Sequence, residues 1–192
     1  QAATAQAEGQ PDRAGELDDK ALADFEEAVR LDEKRWKAIH NRGVSYAVKG
    51  DYDKAIADFT QSIRLNPKFP DPYSERGVAW YLKGEYDKAI ADCSEAIRLN
   101  PRDEIAYGNR GLTWSRKGEY DKAIADFNKA IEFDPEYSWA YSGRGYAYRQ
   151  QKKWDDALKD YNHAIEIDPD NSQAYCYRGQ HHKTFARYDQ AI

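Results

Sequence analysis

The chain has 192 residues, 33% of them charged and 41% hydrophobic, with 29 basic residues against 34 acidic ones and a net charge of −5. Its mean hydropathy is −1.00 and its pI about 5.5. No run nears the roughly 18 apolar residues that a membrane-spanning helix needs, so the sequence reads as soluble with no membrane span. The acidic balance disfavours nucleic-acid binding by phosphate neutralisation, the 14% of aromatic residues argues against disorder, and two cysteines make no disulfide framework.

Residues 1–17 lack a periodic apolar pattern and include Gly9-Gln10-Pro11, so a flexible tail is expected there. The opening Gln1-Ala-Ala-Thr-Ala-Gln-Ala fits a remnant of an Ala-x-Ala processing site, a disordered tail or an artificial boundary equally well. Localisation therefore stays open between cytoplasmic and periplasmic or secreted. Residues 18–35 read as the second half of a degenerate repeat.

From there a fixed period organises the chain. The string from Gly50 to Asp58 returns almost unchanged at Gly84–Asp92 and Gly118–Asp126, a spacing of 34 residues. Complete copies fall at 36–69, 70–103, 104–137 and 138–171, and a truncated copy at 172–192. Each copy reads as two helices. Lys49-Gly50, Lys83-Gly84 and Lys117-Gly118 end the first with a basic last turn and a glycine able to take positive φ. Asn66-Pro67, Asn100-Pro101, Asp134-Pro135 and Asp168-Pro169 stop the second. No segment alternates as a half-buried strand would, so the expected class is all-α.

With places in the copy numbered 1 to 34, the first helix carries large side chains around a glycine at place 8 (Gly43, Gly77, Gly111, Gly145, Gly179), which allows close helix approach. Tyr52, Tyr86, Tyr120, Trp154 and Tyr188 follow the turn, and Ala-Ile or Ala-Leu follows them. These features resemble the tetratricopeptide repeat (TPR) family over 36–192 and the half copy. The resemblance implies a right-handed superhelical solenoid of helix-turn-helix repeats, whose concave face, formed by first helices, binds peptide. One departure stands out: arginine at place 7, where the family more often has leucine.

Those arginines (Arg42, Arg76, Arg110, Arg144, Arg178) sit among small residues and call for carboxylates, which place 23 supplies as Asp24, Asp58, Asp92, Asp126 and Asp160. Forward pairing, from Asp24 to Arg42 through Asp160 to Arg178, matches all five and is preferred; pairing within a copy is the alternative. Recurrence in every copy suits a structural ladder better than a ligand site.

A third stripe, places 2, 5, 6, 9, 12 and 13 of the first helix and including Ser74, Gly108, Ser115 and Ser142, points away from the sister helix and the preceding copy and is expected to line the concave face. Its candidate peptide-binding residues are Lys37, His40, Asn41, Tyr81, Asn109, Arg116, Trp139, Tyr146, Arg149, Tyr177 and Lys183. The basic ones cluster toward the C-terminal half beside Trp139, Tyr146 and Tyr177, a composition typical of binding hot spots. A partner with an acidic group beside an apolar anchor would suit it; plain packing of Trp139 and Tyr146 is an equal alternative. One TPR subclass clamps the C-terminal carboxylate of heat-shock chaperones. The corresponding positions here hold His40, Val44 and Glu75 or, one copy on, Ser74, Val78, Asn109, Trp139 and Gly143, and neither set fits.

No nucleophile motif, phosphate-binding loop or spaced metal-ligand set appears, so neither enzyme activity, cofactor nor metal is expected. His181-His182 diverge by about 100° on a helix, too far to chelate one ion. Cys93 and Cys176 lie more than two copies apart and are expected as free thiols. Ile192 falls inside an expected helix, leaving an uncapped end that points either to a longer parent protein or to oligomerisation through array ends. The reading is a non-catalytic protein-interaction scaffold. The alternatives are a regulatory or substrate-docking arm of a larger enzyme, or a self-assembling structural subunit.

Overall fold

The structure is a computed structural model that describes residues 13–189. Among these residues lie ten helices and no strand: α1 (Arg13–Leu31), α2 (Trp36–Val48), α3 (Tyr52–Leu65), α4 (Asp71–Leu82), α5 (Tyr86–Leu99), α6 (Glu104–Arg116), α7 (Tyr120–Phe133), α8 (Ser138–Gln150), α9 (Trp154–Ile167) and α10 (Ser172–Asp189). Sister helices pack as the pairs α2/α3, α4/α5, α6/α7 and α8/α9, and each second helix packs on the next first helix. The result is a right-handed solenoid, with the even-numbered first helices in mutual contact along one side. None of the described helices is long and apolar enough to cross a membrane.

The turns follow from the residues that occupy them. Gly50, Gly84 and Gly118 adopt φ of +78°, +79° and +80°, a region where a Cβ is strained. The fourth copy has no such glycine and holds Lys152 at φ +60° instead. Before each proline, Asn66, Asn100, Asp134 and Asp168 leave the helix at φ between −139° and −128°, the extended backbone that a following proline imposes.

Sister helices meet at the place-8 glycine. A Cβ on Gly43 would lie 2.9 Å from the Phe59 ring, one on Gly77 2.8 Å from Cys93 Sγ, and one on Gly145 2.7 Å from the Tyr161 ring. Phe59, Cys93, Phe127 and Tyr161, all at place 24, are consequently buried to 1% exposure or less. The alanines Ala55, Ala89, Ala123 and Ala157 beneath them are fully buried.

The expected forward Arg–Asp pairing is corrected. Every complete copy pairs within itself: Arg42 with Asp58, Arg76 with Asp92, Arg110 with Asp126 and Arg144 with Asp160, each through two bonds of 2.7–2.8 Å. The glycine contact explains this, because drawing place 8 onto place 24 sets place 7 against place 23. Asp24 is exposed on α1, and the equal count of five and five carries no pairing information.

The link between copies runs through place 25. Arg76 Nη1 donates to Thr60 Oγ1 of the preceding copy at 2.9 Å, Arg110 Nη1 to Ser94 Oγ at 3.0 Å, Arg144 Nη1 to Asn128 Oδ1 at 2.6 Å and Arg178 Nη1 to Asn162 Oδ1 at 2.8 Å. Arg76, Arg110, Arg144 and Arg178 also stack 5.2–5.9 Å from the rings of Tyr73, Tyr107, Tyr141 and Tyr175. Lys49, Lys83 and Lys117 form further forward pairs with Asp19, Asp53 and Asp87, whose exposed carboxylates add little stability.

Both ends depart from expectation. α1 begins at Arg13, inside the segment 1–17 expected as a flexible tail, while residues 1–12 lie outside the described ones. At the other end, α10 runs on through the position where each complete copy turns. Ala186 stands there in place of glycine, and a continued helix avoids the positive φ that a turn would demand of it.

Two outcomes test this packing. Asp126 is nearly buried, with 9% of its side chain exposed against 21% for Arg110, so Arg110→Ala should cost about 3 kcal/mol in chemical denaturation by stranding a carboxylate. A double-mutant cycle should then give a larger coupling for Arg110 with Asp126 than for Arg110 with Asp92. Separately, Cys93 is buried and its thiol is pushed up to about 12 by desolvation, whereas Cys176 is exposed. Thiol titration of the native chain at pH 8 should find one fast-reacting cysteine and a second only after unfolding.

Candidate functional site

The first helices place the predicted groove residues in three zones. In the N-terminal zone Trp36, Lys37, His40, Asn41, Asn66, Phe69 and Asp71 line a cavity of 550 Å³. His40 is half-buried, 5.7 Å from the Phe59 ring and 5.6 Å from the Phe69 ring. Burial lowers its pKa and nearby Asp71 opposes that shift. Lys37 is exposed, 5.5 Å over Trp36. Asp71 also borders a second cavity, of 300 Å³, with Ser74, Glu75, Asn100, Asp103, Glu104 and Ile105. This second cavity is acidic. Glu75 has its pKa raised by burial first and by the Asp71 charge second.

The middle zone is apolar. Val78, Tyr81 and Leu82 of α4, Asn109 and Leu112 of α6 and Trp139 of α8 line a cavity of 220 Å³, together with Gly77 and Thr113. Every lining residue lies on a first helix, so this is the concave face. Trp139 lies over Gly108, where a Cβ would sit 3.2 Å from the indole and 3.1 Å from the Tyr137 ring. The indole also stacks on Tyr137 at 6.0 Å and meets Phe127 edge-on at 6.2 Å. Trp139 therefore packs against its neighbours and also lines the middle cavity.

The C-terminal zone is aromatic and basic. Arg116 Nε donates to Tyr81 Oη at 2.8 Å, and this bond raises the arginine's pKa, with Tyr177 and Tyr146 contributing from further away. Tyr146 and Tyr177 lie 5.2 Å apart, and the Arg149 guanidinium is 5.6 Å over Tyr146. Arg149 Nη2 reaches Gln180 Oε1 at 3.4 Å. Lys183 is exposed at the far end.

Parts of the expected free stripe are not free. Ser74, Gly108, Ser115 and Ser142 are buried between helices. Sequence reasoning missed Asp103 and Glu104, which stand at the start of α6 rather than on its stripe. His181 is 3% exposed, against Trp154, Tyr161 and Phe185, while His182 is exposed. Among the described residues no three metal-ligating side chains gather. Outside the groove, a cleft of 530 Å³ between α8 and α9 is lined by Arg144, Asp160, His163 and Glu166 among others, and these four pair with one another.

Comparison with known proteins agrees with this architecture. Tetratricopeptide repeat family models match residues 4–68, 40–104 and 138–171, and a TPR repeat model matches 115–151. The chain belongs to the tetratricopeptide repeat family. No curated protein sequence matches it. Among solved structures it is similar to YrrB, described as a TPR protein with an unusual peptide-binding site, at 25% identity over 86% of both chains and a TM-score of 0.68. It is similar to MamA at 27% identity over 84% of this chain and 94% of that one, with a TM-score of 0.72. The first TPR of Spaghetti (RPAP3), bound to the HSP90 peptide SRMEEVD, aligns at 27% identity over 61% of this chain and 93% of its own, with a TM-score of 0.58. Proteins of this family are in general non-catalytic scaffolds.

The acidic zone yields a test with a definite sign. Because the folded pKa of Glu75 lies above its ordinary 4.5, the folded chain binds more protons there, and this contribution to stability is lost as the pH rises through the raised value. Glu75→Gln should raise the melting temperature at pH 7, and the difference should close as the pH falls below 4.5.

Proposed function

We propose that this chain is a non-catalytic interaction scaffold that holds a peptide segment of a partner protein along its concave face, with one apolar side chain of that segment seated in the middle cavity. The observation that carries this reading is the 220 Å³ cavity itself, built from three successive first helices and walled by Val78, Leu82, Leu112 and Trp139. An apolar hollow beside a half-exposed Leu82 is the composition of an anchor pocket. Peptide binding by YrrB and by the first TPR of Spaghetti, as described for those proteins, supports the same role on the same fold. The carboxylate-clamp positions of the chaperone-binding subclass remain unmatched here, so the partner differs in chemistry from a chaperone tail.

Selection of peptides from a random library on the intact chain tests the proposal. Binders should share a leucine-, isoleucine- or phenylalanine-sized residue. Leu82→Lys, a change at an exposed position, should weaken them by about tenfold or more while leaving the melting temperature unchanged. Binders that ignore Leu82→Lys and Leu112→Asp alike would place recognition elsewhere.

A further inference from the structure

In each complete copy, places 20, 23, 24 and 27 of the second helix are buried against the first helix. On α1 the same places hold Ala21, Asp24, Phe25 and Ala28, and none of them is buried. Among the described helices α1 packs on α2 alone, so the face that a sister helix would cover is open. The other end of the array is open in the complementary sense. The place-8 glycine is buried in all four complete copies, whereas Gly179 of α10 is exposed and a Cβ there would meet nothing within 4 Å. Tyr175 and His182, which flank it on the same stripe, are exposed as well. Arg178 keeps the contacts that orient its counterparts, from Nη1 to Asn162 at 2.8 Å and over the Tyr175 ring at 5.2 Å. Its Nε and Nη2, the atoms that hold the aspartate in every complete copy, meet no carboxylate among the described residues.

We propose that these two faces are halves of one interface, and that α1 of a second copy of this chain docks on α10 as its sister helix. Arg178 then holds Asp24 of the second copy as Arg144 holds Asp160. Phe25 of that copy covers Gly179, as Tyr161 covers Gly145. Ala21 and Ala28 close the contact on either side of Phe25, in the places of the buried Ala157 and Ala164. Helix lengths agree with this. α1 begins at place 12, ahead of the place 17 at which α3, α5, α7 and α9 begin. α10 runs to place 18, past the place 13 at which α2, α4, α6 and α8 stop. Two antiparallel helices joined by a tight turn cannot both run on past it, whereas helices of separate chains continue side by side. Charge agrees too: α1 has six acidic and three basic residues, α10 three basic and one acidic. Unlike ends therefore attract and like ends repel. Because the two surfaces differ, the contact is head-to-tail and leaves a free end at every step. It carries the solenoid from one molecule into the next and does not draw on the peptide groove.

Sedimentation equilibrium of the full chain from about 10 μM to about 500 μM tests this, a range that covers weak and moderate association. The molar mass should rise with concentration without levelling off at two chains. Gly179→Leu fills the open face of α10 without meeting its own chain and should hold the mass at one chain. Asp24→Lys, at an exposed position, should do the same from the other end. Asp24→Ala, which only removes the carboxylate, should weaken association about thirtyfold. Thermal melting followed by circular dichroism checks the fold of each variant, and Ala21→Arg on the same face of α1 replaces Asp24→Lys should that variant melt early. Mixing decides the register. Gly179→Leu keeps a working α1 and Asp24→Lys a working α10, so an equimolar mixture should form a dimer and grow no further. A mass of one chain for the unaltered protein at every concentration overturns the proposal. Association that survives Gly179→Leu overturns it too and assigns the contact to another surface. A plateau at two chains, or a mixture of the two variants that stays monomeric, overturns it in favour of pairing between like ends.

Discussion

The bidentate pair between the arginine at place 7 and the aspartate at place 23 is the contact on which the geometry of the array depends. It repeats in four copies with bonds of 2.7–2.8 Å and fixes the two helices of each copy in register across their glycine contact. In three of those copies a remaining N–H of the same guanidinium reaches back to place 25 of the preceding copy. One side chain thereby sets both the angle within a copy and the step between copies. Such half-buried pairs add little net stability compared with an apolar core. Their value lies in specifying one arrangement, which suits a solenoid whose concave curvature is the sum of identical steps.

On the proposed reading, function falls where copies differ. Identical features in every copy hold the array together, and a site needs a local exception. Trp139 against Gly108 is one, since the other copies hold no tryptophan at place 2. Tyr161 is another, a hydroxyl-bearing ring in a slot that takes phenylalanine or cysteine elsewhere. Lys152 is a third, holding a left-handed backbone that three other copies assign to glycine. The first of these lines the middle cavity of the concave face.

Much of the fold was legible in the sequence because a 34-residue period carries its own register, and glycine and proline mark turns by steric rules that hold in any context. The Arg–Asp ladder was legible in its members but not in its direction. Counting residues does not report distance, and the deciding contact, the side chain at place 24 pressed on the glycine at place 8, is tertiary. The free stripe was only partly legible for a similar reason. A helical wheel assigns place 5 to the open face, but the superhelical step brings the next copy over it, which buries Ser74, Gly108 and Ser142. Asp103 and Glu104 escaped because they enter the groove from a helix start, where the wheel does not apply.

Taken along its length, the concave face is polar in the sense of a magnet. Asp71, Glu75, Asp103 and Glu104 outnumber the exposed Lys37 toward its N-terminal end, and Arg116, Arg149 and Lys183 stand toward its C-terminal end, with the apolar cavity between them. On the proposed reading, a segment acidic at one end and basic at the other would lie with its acidic end among the arginines, and the reverse orientation would set like charges against each other at both ends. Charge patterns of this kind contribute more to orientation and partner choice than to affinity. On the proposed reading, burial in the central cavity supplies the attraction, which does not depend on direction. A strict repeat of identical copies would present the same charge at every step and leave a bound chain free to lie either way. The departures from repetition therefore give this solenoid a direction.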